Sequence, residues 1–341
     1  MSLIDWAEKS YLPDWMIRIG IRRLLATRLG KEHAGNAERA SARGNELLTD
    51  LRRSAVAIET DAANRQHYEV PAAFYQQVLG PHMKYSSALW SEGTTTLADA
   101  ERAMLEQTCA NAGLSDGQRI LELGCGWGSL TLHMAEQYPA SRIVAVSNSA
   151  SQRRYIERQL AERGLENVTV LTRDVNQLEL DERFDGVVSV EMFEHVRNYR
   201  ELLARIAGWL AADGRLFVHI FCHRYLAYPF ETEGPGDWMG RHFFTGGLMP
   251  AADTLLFFPE HMAIEKRWLY SGTHYARTAR AWLDNADRNR QATLAALQSA
   301  HPDDSARWLQ RWRMFFMACE ELFAWRGGNT WLVAHYRFRK Q

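Results

Sequence analysis

The sequence predicts an α/β protein whose mostly parallel, seven-stranded sheet carries helices on both faces. Three observations point there. Short β-branched apolar runs alternate with helical stretches between residues 119 and 222, the texture of strands joined by crossover helices. A glycine-rich turn, "LELGCGWGSL" (121–130), links the first of these strands to the helix after it. The chain is 341 residues long and 46% hydrophobic, enough to fill one large core.

The elements follow in order. "WMIRIGIRRLLATRL" repeats apolar positions at helical spacing with Arg18, Arg22, Arg23 and Arg28 between them. A packed helix with a solvated face explains this pattern more simply than a membrane-surface helix. "YEVPAAFYQQVLG" (68–80) reads as an extended entry, a proline-started helix and a glycine stop, and "TTTLADAERAMLEQTCANAG" (94–113) as a threonine-capped helix. Strands are expected at 119–124, 142–147, 168–172, 184–190 and 214–222, with helices to Tyr138, from Ser151 to Arg163 and through Leu210. The glycine- and proline-rich stretch 223–260 reads as a lid or binding insertion. Two more strands, 262–270 and 331–339, enclose further helices. The expected division is an N-terminal helical cap over 1–60 and one domain over 61–341, with insertions at about 223–260 and 274–326.

Composition narrows the class. Lys+Arg number 40 against 41 Asp+Glu, so no bulk field attracts nucleic acid or an anionic membrane. Four scattered cysteines fit a reducing compartment, and no apolar stretch reaches membrane-spanning length. The expectation is a soluble cytoplasmic protein.

Glycines at 124, 126 and 128 let backbone approach a ligand and aim helix N–H groups at it. A dinucleotide loop would want a third glycine at 129, where this chain has Ser129, and an acid closing the second strand, which instead runs into "SNSASQ". Alternate glycines suit a nucleoside without pyrophosphate, such as S-adenosylmethionine. After the fourth strand comes "VEMFEHV" (190–196). Were the chain helical from Glu191, spacing of three and four would put Glu191, Glu194 and His195 on one face. Carboxylates there would recruit an ammonium, and His195 would take its proton. The structural alternative is that Glu194 and His195 cap the next helix while Glu191 is solvated. "HIFCH" (219–223) reads as a packed strand end, since His219 and His223 share one face, Cys222 takes the other, and no second cluster completes a metal site.

Together "MKYSSALW" (83–90), "LELGCGWGSL", "AVSNSASQ" (145–152), "RDV" (173–175) and "VEMFEHV" resemble the clan of S-adenosylmethionine-dependent enzymes that holds the cyclopropane fatty acid synthases and the plant coclaurine-type N-methyltransferases. "YEVP", "FCHRYLAYPFE", "DWMGRHFFTGGLMP", "SGTHYARTARAWL" and "RWRMFFMACEELF" are similar to the N-methyltransferase branch. The resemblance implies the class I, Rossmann-like methyltransferase fold and S-adenosylmethionine as cofactor, with S-adenosylhomocysteine as product. It implies cofactor contacts at Tyr85, Ser86, Gly124, Gly126, Gly128, Asn148, Gln152, Asp174 and Val175. Glu69 of "YEVP" joins Glu191, Glu194 and His195 in catalysis, and Trp312, Phe315 and Glu321 meet substrate. Trp308 and Trp325 are core candidates. The implied reaction is N-methylation of a small, aromatic-bearing amine. The partners are that small molecule and no nucleic acid or integral membrane, with a homodimer left open.

Cyclopropane synthases usually carry glycine where this chain has Glu191. An unpaired carboxylate facing an acyl channel would be costly, which favours the amine. Against it, Cys319 lies near a functional cysteine of the lipid synthases, so methylene or methyl transfer to an unsaturated acyl chain is the second reading. A non-catalytic binding fold is the third.

Overall fold

In the computed structural model, residues 2–58, 70–234 and 236–341 are described. The sheet holds β1 (Arg119–Leu123), β2 (Arg142–Ser147), β3 (Val168–Thr172), β4 (Phe184–Val190), β5 (Leu210–His223), β8 (Met262–Tyr270) and β9 (Trp331–Lys340) in the order β3-β2-β1-β4-β5-β9-β8. Pairing is parallel from β3 to β5, while β9 runs antiparallel to both β5 and β8. The near-continuous apolar strands sit centrally because helices exclude water from both faces. Chain order reverses between β1 and β4, whose paired ends are Leu123 and Ser189. Ligands of open α/β sheets bind outside the strand ends at such a point.

Three helices precede the sheet: α1 (Leu3–Glu8), α2 (Asp14–Lys31) and α3 (Ala37–Arg53). α2 fully buries only Ile17 and leaves Trp15, Met16, Ile19 and Leu24 exposed. It is therefore less a packed amphipathic helix than an ion-paired one. Arg18 binds Glu320 and Glu321, Arg28 binds Asp237, and Asp14 takes Arg313. The helix α4 (Ala72–Val78) starts after Pro71. In α5 (Leu97–Ala112), Thr96 Oγ1 accepts from Asp99 N–H at 3.1 Å, and Gly113 closes the helix in the left-handed region. Between strands lie α6 (Ser129–Gln137), α7 (Ala150–Arg163) and α8 (Tyr199–Trp209).

Two details depart from the expected boundaries. β5 starts at Leu210 rather than 214, with an irregular register between Phe184 and Gly186. The 223–260 stretch is not a bare loop. It carries β6 (Tyr228–Pro229), α9 (Trp238–His242) and β7 (Leu248–Met249), and Arg197 anchors it by donating to the carbonyls of Gly246 and Gly247 at 3.1 Å each.

Between β8 and β9 come α10 (Gly272–Arg288), α11 (Arg290–Gln298) and α12 (Ser305–Ala324). α12 runs its aromatic face, Trp312, Phe315 and Phe316, into the larger core cluster beside Phe74 and Phe243. No described helix is long and apolar enough to cross a membrane.

The first turn of α10 presses on its neighbours so closely that a Cβ at Gly272 would clash with the carbonyl oxygens of Trp331 and Phe323. Backbone cannot yield as a side-chain tip can. Gly272→Ala should therefore destabilise by roughly 1–3 kcal/mol or more, read as a lowered melting temperature.

Candidate active site

The turn after β1 places Gly124, Gly126 and Gly128 at φ of 79°, 53° and 79°. Their missing side chains serve different purposes. A Cβ at Gly124 would come within 2.8 Å of Met192, and one at Gly128 within 2.7 Å of Ile156, whereas one at Gly126 would meet nothing within 4 Å. Gly126 thus opens onto empty space, and Gly128, which lines neither cavity described next, is required for packing and to start α6.

Two adjoining cavities meet at Gly124, Gly126, Gln152 and His195. The first, an open cleft with about 710 Å³ of free space, is lined by Asn148, Asp174 and Val175 among others. The second, about 930 Å³, is lined by Tyr85, Ser86, Trp127, Glu191, Phe244 and Phe315. Ser147 Oγ donates to Gln152 Oε1 at 2.7 Å and fixes that side chain at the junction. Around the second cavity Thr108 Oγ1, Trp127 Nε1 and Ser129 Oγ are buried without partners among the described residues. Buried polar atoms are rarely left unsatisfied, so these three mark where a polar ligand fits.

Glu191, Glu194 and His195 do not share a helical face. Glu191 has φ +48°, Met192 follows, and only Phe193–His195 forms a single 3-10 turn. The left-handed kink sends the three side chains in different directions. Glu191 enters the second cavity, where its carboxylate accepts from Tyr275 Oη at 2.6 Å and Ser87 N–H at 3.0 Å and lies 3.2 Å from His219 Nε2. His195 lines both cavities, its ring stacked on Phe244 at 5.7 Å. Glu194 lines neither cavity and accepts from Phe221 N–H at 2.8 Å, so one of its oxygens secures β5 and the other is buried without a described partner.

Burial governs the charges. It raises Glu191 above the usual carboxylate range, opposed by the Lys84 ammonium and by the Ser87 and Tyr275 donors. It raises Glu194 well above that range, with Glu191 adding repulsion. It lowers His195 to about 4 against the pull of Glu191, leaving a neutral imidazole. Lys84, fully enclosed, falls to about 8 and donates to Ser86 Oγ and to Ser87 O.

The remaining expectations fall out unevenly. Phe315 reaches the second cavity, but Trp312 stands behind it, wholly buried against Phe74 and Phe243. Glu321 lies six residues past Phe315, roughly 240° around the helix, and is held by Arg18 and Arg22 instead of facing substrate space. Glu69 lies outside the described residues. Burial pushes the Cys319 thiol up, next to the Glu191 charge, so it is no ready nucleophile. Trp308 and Trp325 pack only partly buried against the core. In "HIFCH", His223 Nδ1 accepts from Tyr225 and Leu226 N–H as a turn cap, and among the described residues no His, Cys, Asp and Glu cluster could hold a metal. His219 is more than strand packing, because it holds Glu191. Sequence reasoning also passed over Lys84, Ser87, Thr108, Glu122, Ser129, Tyr275 and His335. Lys84, Ser87 and Tyr275 lie inside segments that had drawn attention, with no spacing rule to single them out.

With this geometry in place, comparison with known proteins is informative. The sequence matches the mycolic acid cyclopropane synthetase family over residues 57–331. The chain belongs to this family. It is 34% identical to (S)-coclaurine N-methyltransferase of Thalictrum flavum subsp. glaucum, over 100% of this chain and 96% of that one. A crystal structure of coclaurine N-methyltransferase bound to N-methylheliamine and SAH matches with a TM-score of 0.95 at 34% identity, covering 99% of both chains. Cyclopropane-fatty-acyl-phospholipid synthase of Escherichia coli (strain K12) is 29% identical over 80% of this chain and 67% of its own. The sheet and its helices are therefore those of a class I methyltransferase. Within the cyclopropane synthetase family this chain puts a glutamate at φ +48° in position 191, a conformation that glycine adopts freely and other residues adopt at a cost of about 1–2 kcal/mol.

Another buried acid, Glu122, lines the second cavity and accepts from Thr131 Oγ1 at 2.5 Å. Burial pushes it up to about 7. Its folded pKa exceeds the unfolded one, so its contribution to stability is full below about 4.5 and lost as pH rises through 7, by roughly 3 kcal/mol. Glu122→Gln keeps the acceptor and removes the titration. In the cofactor-free protein its melting temperature should gain on wild type progressively from pH 5 to 8, and an offset independent of pH would contradict the assignment.

Proposed function

We propose that this enzyme transfers the methyl group of S-adenosylmethionine to the nitrogen of a small aromatic-bearing amine. The observation that carries the reading is the Glu191 carboxylate, held by Ser87, Tyr275 and His219 inside a cavity walled by Trp127, Phe221, Phe244 and Phe315. A buried negative charge facing flat apolar walls suits a cation attached to an aromatic ring. It does not suit an acyl chain.

The cofactor fits the residues present. Asn148, Gln152, Asp174 and Val175 would hold the nucleoside in the first cavity. Tyr85, Ser86, Thr108 and Ser129 would hold the amino-acid end, where the orphaned hydroxyls lie. When bound, it supplies an electrophilic methyl on a sulfonium. The chain's own residues must present a neutral nitrogen to that methyl. An aliphatic amine of pKa near ~10 is neutral about once in ~10³ molecules at pH 7, a handicap of roughly 4 kcal/mol. Glu191 attracts the ammonium form. His195, neutral and bordering both cavities, accepts its proton, with the nearby Glu191 charge stabilising the imidazolium. Glu194 acts through backbone, holding Phe221 and thereby the cavity wall. Phe244 comes from the 223–260 stretch and stacks on His195, so that stretch acts as the lid and must lift to admit the amine.

The test is a panel of amines and one unsaturated phospholipid, each assayed with radiolabelled cofactor. Label entering an amine is expected; label entering only the lipid overturns the reading. Gly126→Val should abolish cofactor binding by calorimetry in a folded protein, because it fills the open junction of the two cavities. On the best amine, His195→Ala should lower turnover by roughly 10²–10⁴-fold, with the defect shrinking as pH approaches the pKa of the amine. Glu191→Gln should weaken amine binding more than turnover. A histidine defect that stays constant across pH would remove the proton-acceptor role.

A further inference from the structure

Behind Glu191 a file of side chains crosses the sheet. His219 on β5 and His335 on β9 are directly opposed across the antiparallel ladder, and both are fully buried. His219 Nε2 lies 3.2 Å from Glu191 Oε1, His335 Nε2 lies 2.9 Å from His219 Nδ1, and Asn111 Nδ2 on α5 lies 2.9 Å from His335 Nδ1. The file ends where Asn111 Nδ2 also donates to Tyr270 Oη at 2.8 Å and Asn111 Oδ1 accepts from Gln107 Nε2 at 3.0 Å.

Its direction follows from chemistry. An amide nitrogen only donates, so His335 Nδ1 accepts, and a neutral imidazole then has its proton on Nε2. His335 Nε2–H therefore donates to His219 Nδ1, and His219 Nε2–H donates to Glu191. Burial lowers both histidines well below their usual range and keeps them neutral. The reversed file would turn a bare His219 lone pair toward Glu191, which would then have to carry the proton, and both Asn111 and Gln107 would have to turn over.

We infer that Asn111, His335 and His219 form a one-directional hydrogen-bond relay that holds a donor against Glu191 and keeps its carboxylate ionised and aimed at the amine. His335 and Asn111 are positioning residues, since they lie behind His219 and act only through it. The inference rests on Glu191 being the amine-recruiting carboxylate. The other groups facing Glu191 are the Lys84 ammonium, the Tyr275 hydroxyl, His195, Glu194 and the Cys319 thiol. Replacing His335 leaves all of them in place.

The test reads Glu191 without substrate. In wild-type protein with labelled histidine, nitrogen NMR should show His219 and His335 as neutral Nε2–H tautomers; an Nδ1–H tautomer at His219 overturns the relay even if no variant folds. With carbon-labelled glutamate, the Glu191 resonance is the one missing in Glu191→Gln. In His335→Phe its titration midpoint should rise by about one pH unit, a tenfold change in proton affinity. His335→Gln offers a donor and an acceptor in similar places and should restore the wild-type midpoint, which a merely space-filling role would not require. An unchanged midpoint in folded His335→Phe overturns the inference. Failure of the amine reading looks different: wild-type enzyme would methylate no amine while the tautomers and midpoints stood.

Discussion

A carboxylate removed from water is stable only if donors replace the water, and the active site is organised around meeting that demand for Glu191. Three donors reach it from three parts of the chain: Ser87 N–H before α5, His219 on β5 and Tyr275 on α10. Lys84 adds a nearby positive charge. Each donor needs its own support. Tyr275 sits one turn into a helix wedged against the carbonyls of Trp331 and Phe323, and His219 is in hydrogen-bond contact with His335 on the neighbouring strand. The carboxylate thus ties the C-terminal half of the sheet to the segment preceding α5. Losing any one donor leaves a buried charge less satisfied, which costs more than an ordinary hydrogen bond contributes.

Much of the fold was legible because its signals are local. Apolar β-branched runs, a Thr cap at 96 and a left-handed Gly113 mark element ends with one or a few residues each. The cavity junction was also legible, since a glycine turn between strand and helix has one main use. What escaped was anything set by backbone direction or by distant pairing. Nothing in "VEMFEHV" announces that a glutamate will adopt φ +48°, so helical spacing grouped Glu194 with Glu191 although its side chain turns to the backbone of β5. His219 and His335 are separated by 116 residues and meet only because β9 inserts beside β5. Trp312 and Phe315 lie three residues apart on one broad helical face, and only the packed structure shows which of them reaches the cavity.

The N-terminal helices bear on the same site indirectly. Glu8 is nearly buried, accepting from Trp238 Nε1 at 2.8 Å and from Arg311 at 3.0 Å, and pairing with Arg307. Trp238 belongs to the 223–260 stretch and Arg311 to α12, so one carboxylate clamps the N-terminal helices to two of the elements that supply aromatic walls. Arg313, bound to Asp14 and Asp287, makes a second clamp. Only the Glu8 cluster is buried, since Asp14 and Asp287 are exposed, so the first clamp contributes more to fixing one arrangement than the second. They hold Phe244 and Phe315 in register across the cavity.

The strained backbone at position 191 argues most directly about what the site is for. A left-handed glutamate is maintained against about 1–2 kcal/mol of local strain, and burial raises the cost of its charge further. Glycine there would relieve both. The chain keeps the glutamate and surrounds it with Ser87, Tyr275 and His219, an arrangement suited to a substrate that is already cationic when it binds, as an ammonium is and an alkene is not. In the proposed reaction an ammonium uses it, first to be held and then to be brought beside a neutral imidazole. The proposed amine site thus turns on one side chain projecting from a kinked strand end, while the sheet, the glycine turn and the 3-10 turn belong to the shared fold.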